Sequence, residues 1–152
     1  MIPMIDQRRI EAELVRDFYE TLLKTMSKAE AQEVIRDAIA SSAIRQGARL
    51  AAEVGHAPDL EDFENSTVAW KASDAMDRED LHTSPERLDF NVTRCGYAQM
   101  HKDMGLHEIG HLLSCNRDAA FCVGYSEDMD LTRTQTIMEG APHCDFRYRM
   151  KS

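Results

Sequence analysis

No apolar run in this chain approaches the roughly 20 residues that a helix needs to cross a bilayer. The opening stretch, MIPMIDQRRIEAE, reaches charge at Asp6 and holds no apolar segment of the kind a secretory leader carries. The expected location is therefore cytoplasmic, with no membrane partner. Basic residues are also in deficit. The 18 Lys and Arg face 27 Asp and Glu, for a formal charge of −9, which argues against nucleic acid as a partner. The locally basic end, CDFRYRMKS, is too short to reverse that sign. Repeats, low-complexity tracts and C-x-x-C knuckles are missing too, so an array and a structural zinc finger both lose their usual signature. In a reducing compartment the four cysteines should be thiols or ligands rather than disulfides, and the sequons at Asn65 and Asn91 are chance matches.

What is present reads as one domain over 1–152, long enough to bury a core. In IDQRRIEAELVRDFYETLLKTM, Ile10, Leu14, Phe18 and Leu22 recur every four residues, which predicts a helix with that stripe in the core. Ser27-Lys28-Ala29-Glu30 is a capping box that announces a second helix. That helix runs through Val34, Ile35, Ala38, Ile39 and Ala43 to a stop at Gly55. From Gly55 to Arg87 the chain reads as acidic, Pro-containing connections around a short strand at TVAWKA.

The second half changes period. RLDFNVTRC alternates, with Leu88, Phe90 and Val92 on one face. GYAQMHKDM is expected to be helical and to end at Gly105, and HEIGHLL to form another short helix. AAFCVGY, LTRTQTIME and HCDFRYRM are expected strands. In the last, Cys144, Phe146, Tyr148 and Met150 share a face. The predicted class is α+β: an N-terminal helical pair packed on a mostly antiparallel sheet with a helical insertion. An antiparallel edge and an Ala-rich helix also lead us to expect a homo-oligomer.

His107-Glu108-Ile109-Gly110-His111 matches H-E-x-x-H, the zinc-peptidase pattern. The spacing puts both histidines on one side of a helix. That side lies nearly opposite Ile109, Leu112 and Leu113, so a helix burying its apolar face turns the pair away from the core. Gly105 and Gly110 each weaken a helix by about 0.5–1 kcal/mol relative to Ala. Ser114 stands where the extended motif needs Gly, and only Glu127 or Glu139 is on hand as a third ligand. We read the motif as a decoy and expect neither metal nor cofactor.

The cysteines, at intervals of 20, 7 and 22 residues, differ in setting. Cys122, between Phe121 and Val123, fits an inert core thiol. Cys95 follows Arg94 at a strand end, Cys115 precedes Asn116-Arg117-Asp118, and Cys144 lies between His143 and Asp145. A catalytic thiol needs a cation or His to lower its pKa and a carboxylate or amide to orient the base. SCNRDAA and PHCDFR each supply such partners locally.

FNVTRCGYAQMHKDMGLHEIGHLLSCNRDAAFCVGY followed by LTRTQTIMEGAPHCDFRYR resembles the L-2-amino-thiazoline-4-carboxylic acid hydrolase family. The likeness rests on Arg94-Cys95, on Cys115-x-x-Asp118, and on Glu139-Gly140 with Cys144-Asp145-Phe146. It is closest over 88–149 and extends back through RQGARLAAEVG; His107 and His111 are not part of the family's pattern. The C-terminal pattern is also similar to small-ligand-binding α+β domains of the vinyl-reductase-like type. The resemblance implies a hydrolase that opens a small cyclic amidine-like ring, classed with hydrolysis of non-peptide C–N bonds, with a small heterocycle as substrate. On that basis Cys115 is the expected nucleophile, Asp118 the proton carrier, His143 a base for thiol or water, and Cys144 the alternative nucleophile. Arg94 or Arg133 would grip a substrate carboxylate through a bidentate fork. Cys95, Glu139 and Asp145 complete the expected substrate-binding set. The competing readings are a non-catalytic module holding the same kind of ligand, and a metal-dependent hydrolase.

Overall fold

A computed structural model of the chain describes residues 1–151. The fold is α+β, as the sequence predicts: helices lead, and a four-stranded antiparallel sheet follows, in which β1 (Met76–Thr83), β2 (Arg87–Cys95), β3 (Met129–Thr132) and β4 (Cys144–Met150) lie in the order β1-β2-β4-β3. Helix α1 spans Met4–Leu22 and α2 spans Lys28–Val54. Both halves of the predicted capping box form, with Glu30 N donating to Ser27 Oγ and Ser27 N to Glu30 Oε2. Gly55 ends α2 at φ 81°, a left-handed conformation that only glycine adopts without strain.

Strands β2 (Arg87–Cys95) and β4 (Cys144–Met150) lie where the alternation placed them, and pair from Arg87↔Arg149 to Val92↔Cys144. Leu88, Phe90 and Val92 share one buried face with Cys144, Phe146 and Tyr148. Phe90 and Phe146 stack across the strands at 4.7 Å between centroids, the usual aromatic cross-strand contact. α4 (Gly96–Asp103) follows β2, and Gly105 at φ 72° turns the chain after it. No helix of the described residues is long and apolar enough to cross a membrane.

Several local expectations are corrected. TVAWKA is helical, inside α3 (Leu60–Lys71). Leu60, Phe63 and Thr67 are buried at helical spacing, and Asp59 caps the start by accepting from Glu61 N and Asp62 N. The acidic stretch that follows is strand β1 (Met76–Thr83), whose mostly exposed, charged side chains suit a sheet edge. AAFCVGY is helical too, within α6 (Cys115–Tyr125). A short apolar run fits strand or buried helix equally, and here the polar SCNRD prefix supplies the extra turn. LTRTQTIME is a strand only at its start, in β3 (Met129–Thr132); Thr136 then caps a short 3₁₀ turn over Ile137–Glu139. HEIGHLL is helical only over Gly110–Leu113, the single turn α5.

The stripe Ile10, Leu14 and Phe18 is not core. All three are more than half exposed, while Ala12 and Tyr19 are buried. Alpha1 carries two apolar stripes, and Ala12, Val15, Tyr19 and Leu22 take the inside, against Ile35, Ile39, Leu106 and Leu112.

The sheet's inner face is covered by α3 and α6, through Phe63, Cys122 and Tyr125, and α2 reaches the same core with Leu50 and Ala51. The α2–α6 crossing is very close. A Cβ on Gly124 would stand 1.9 Å from Ile44 O, and one on Gly47 would stand 2.3 Å from Phe121 O. Both obstacles are backbone, so no rotamer change relieves them. Gly124→Ala should therefore lower stability by about 1–3 kcal/mol, towards the upper end, because the helices must separate. Urea unfolding reads this, and a neutral Gly124→Ala would show that the crossing is looser than described.

Candidate functional site

A cavity of about 360 Å³ lies between these layers. Alpha2 gives it Gln46, Arg49, Leu50 and Glu53, and the first turns of α6 give Cys115, Arg117, Asp118 and Phe121. From the sheet come Val92, Cys95, Cys144 and Phe146, while Trp70, Tyr97 and Met138 close other sides. The start of α6 is tied to α2 by Asn116 Nδ2, which donates to Arg36 O at 3.1 Å.

Five of the residues singled out in the sequence therefore share one wall system: Cys95, Cys115, Asp118, Arg133 and Cys144. Four do not line it. Arg94 is at the surface, where it binds Asp74 and Asp77; it lines a neighbouring cleft that shares Cys95 and Met138 with the cavity. Asp145 caps a turn, accepting from Thr134 N at 2.9 Å and Gln135 N at 3.0 Å. Gln135 Nε2 donates to His143 O at 2.9 Å, and His143, though next to Cys144 in the chain, does not line the cavity. Glu139 is exposed.

Asp118 and Arg133 pair at 2.6 Å, with both side chains mostly buried. Arg133 also donates to Cys115 O at 3.1 Å and stands 5.0 Å from the Phe146 ring centroid. Burial lifts the Asp118 carboxyl above the ordinary carboxylate range, and the Arg133 charge opposes this without cancelling it. Burial, and then the Asp118 charge, push the Cys115 thiol far up. Cys95 and Cys144 are also raised by burial, with backbone N–H groups working the other way: those of Ala98, at 3.4 Å from Sγ, and Tyr97 for Cys95, and that of Ile137, at 3.2 Å, for Cys144. All three cavity thiols rest neutral. Cys122 faces the sheet core and donates to Asp118 O at 3.2 Å.

The H-E-x-x-H segment lies apart. His107 sits exposed in a turn before α5, and Glu108 pairs with Lys28 at the surface. Gly110 is there for packing, since a Cβ would press on Met138 Sδ at 3.0 Å and on the buried His101 at 3.1 Å. Among the described residues no three His, Cys, Asp or Glu side chains are arranged to hold a metal ion.

Sequence reasoning passed over Arg8, Ser114 and Arg117. Arg117 became visible only once its segment proved helical, because three residues of helix put it on the same side as Ser114.

The molecule is thus an α+β domain with a small, cysteine-lined cavity between helices and sheet. The chain belongs to the L-2-amino-thiazoline-4-carboxylic acid hydrolase family, whose family model matches residues 7–148. No curated protein matches it. Among solved structures it is similar to the phenol-responsive sensory domain of the transcription activator PoxR with phenol. That likeness has TM-score 0.56 and 16% identity, covering 91% of this chain and 73% of that one. It is also similar to trafficking protein particle complex subunit 3 from Naegleria fowleri covalently bound to palmitic acid, with TM-score 0.55, 12% identity and 96% of each chain covered. At these identities the likeness speaks for the fold alone.

The buried ion pair has a measurable consequence. Arg133→Met leaves the Asp118 carboxylate without its partner and should cost about 3–5 kcal/mol. A carboxyl with its folded pKa above the unfolded one binds its proton more tightly when folded, so stability falls as pH rises through that interval. The Arg133→Met deficit should therefore be larger at about pH 8 than at about pH 5 in urea titrations. Equal deficits at the two pH values would mean that Asp118 does not carry the charge.

Proposed function

We propose that the protein is a hydrolase opening a small heterocycle of the thiazoline-carboxylate kind inside the cavity. The observation that carries this reading is that Cys115 and Asp118 meet on one mostly apolar wall, in a chain of this family. A cavity of about 360 Å³ suits a single small ring, being near the lower end of ligand-pocket volumes.

Because the resting thiol is neutral, attack does not start from a standing thiolate. The Cys115 sulfur bonds to the ring carbon between the heteroatoms while its proton passes to Asp118. That carboxylate is the better base for having a raised pKa. Asp118 then returns the proton to the departing ring heteroatom, and water releases the carbamoyl carbon from sulfur. The product is the substrate plus one water. Breaking the ring C–S bond of the thiazoline leaves both nitrogens on the carbonyl carbon, as N-carbamoyl-cysteine with a free thiol. Breaking the ring C–N bond instead yields the S-carbamoyl isomer without one. Cys144 is the alternative nucleophile, and Cys95 completes the wall that the ring lies against.

A second reading is a ligand-binding module without turnover. It is favoured by the neutral thiols and by the two similar structures, which hold phenol and palmitic acid. Incubation with L-2-amino-thiazoline-4-carboxylate followed by mass spectrometry separates the two, since binding alone returns the ligand unchanged. If turnover is found, Cys115→Ser should lower kcat by at least about 10²-fold and Asp118→Asn by about 10²–10⁴-fold, with both proteins folded. Full activity in Cys115→Ser would remove that thiol from the role and pass it to Cys144.

A further inference from the structure

Neither arginine nominated by the sequence is free to hold a ligand carboxylate. Arg133 is committed to Asp118, and Arg94 to Asp74 and Asp77 outside the cavity. Arg117 is different. It lines the cavity and is 92% buried. Its Nε donates to Leu113 O at 3.0 Å and its Nη2 to Glu11 Oε2 at 3.0 Å, but its Nη1 has no hydrogen-bond partner among the described residues. A buried guanidinium edge left unpaired is costly, and it is rare in a fold that does not use it. Ser114, three residues earlier at the start of α6, repeats the pattern: it lines the cavity with its Oγ buried and unpartnered. Both groups can donate, and both sit at the end of α6 where the helix dipole is positive.

The charge balance agrees. Arg8 lines the same wall and shares Glu11 with Arg117, so two guanidiniums are served by one carboxylate. The Asp118–Arg133 pair is neutral as a unit, and Arg49 and Glu53, which also line the cavity without pairing with each other, cancel in the count. The wall therefore keeps about one uncompensated positive charge, enough for one monoanion. Burial, and then the neighbouring Arg8, pull the Arg117 guanidinium down to about 10, as expected of a cation short of counter-charge.

We propose that Arg117 Nη1 and Ser114 Oγ form the carboxylate-holding end of the cavity, so that its ligand is a small ring acid bound with its anion at the start of α6. The ring then lies towards Trp70, Phe121 and Phe146, within reach of Cys115. This rests on the reading that the cavity takes a small ring compound, but it does not require that the ring be opened.

The test is calorimetric titration of the full chain with two acid and amide pairs: L-2-amino-thiazoline-4-carboxylate with its carboxamide, and benzoate with benzamide. The expected result is that at least one acid binds wild type about tenfold or more tighter than its amide, a hydrogen-bonded charge pair in a buried site being worth that much. Arg117→Met should erase the preference and Arg117→Lys should keep part of it. Ser114→Ala breaks no protein hydrogen bond, so it should stay folded and reduce the preference several-fold even if Arg117→Met fails to fold. Absence of binding by both acids, equal binding of acid and amide, or an undiminished preference in folded Ser114→Ala and Arg117→Lys overturns the proposal. Tight benzoate binding that depends on Arg117, with the thiazoline acid neither bound nor opened, upholds this anion site while refuting the thiazoline reading.

Discussion

Two glycines set the geometry on which the rest of this protein depends. With Gly47 on α2 and Gly124 on α6, the two helix backbones approach more closely than any side chain permits. Alpha6 is thereby held between α2 and the sheet, with Cys122 and Tyr125 committed to the sheet core. The tight contact lies towards its C-terminal end. Its opening turns border the cavity, and they carry Cys115, Arg117 and Asp118 to its wall. A looser crossing would move all three together. Local packing of small residues thus governs the position of the cavity wall about two turns away.

The same burial that assembles the wall controls its electrostatics. Taking thiols out of water disfavours their charged form, so the cavity holds neutral sulfur. Asp118 is tied to Arg133 and yet burial raises its pKa, so its carboxyl holds a proton more readily than an exposed aspartate does. Arg117 has the opposite imbalance, a cation with more donors than acceptors around it. A ligand that offers an anion at one end and an electrophilic carbon at the other would relieve both.

Much of the frame was legible in the residues themselves. Beta2 and β4 announced themselves by alternation, because a strand with one buried face must place apolar side chains at every second position. The capping box at Ser27 and the stop at Gly55 are local chemistry, and they formed where the pattern placed them. Cys115-x-x-Asp118 marked two residues that line the same cavity. Other segments misled for identifiable reasons. AAFCVGY is too short for its period to separate strand from helix, and the polar β1 hides its strand character because an edge strand needs little apolar surface. The Ile10, Leu14 and Phe18 stripe is as regular as the buried one beside it, and periodicity alone does not say which of two stripes faces inward.

By itself, then, the sequence determined the α+β class, the central strands and the principal helix ends. Each of these depends on interactions between residues close along the chain or on a repeating pattern within one element. Only the tertiary structure decided which arginine is spare. Arg94, Arg117 and Arg133 are equivalent letters in the sequence. They differ only in which carboxylates, 17, 106 and 15 positions away along the chain, come within reach of each guanidinium. Those distances are settled by packing α1, α6 and the sheet against one another, and no local pattern encodes them.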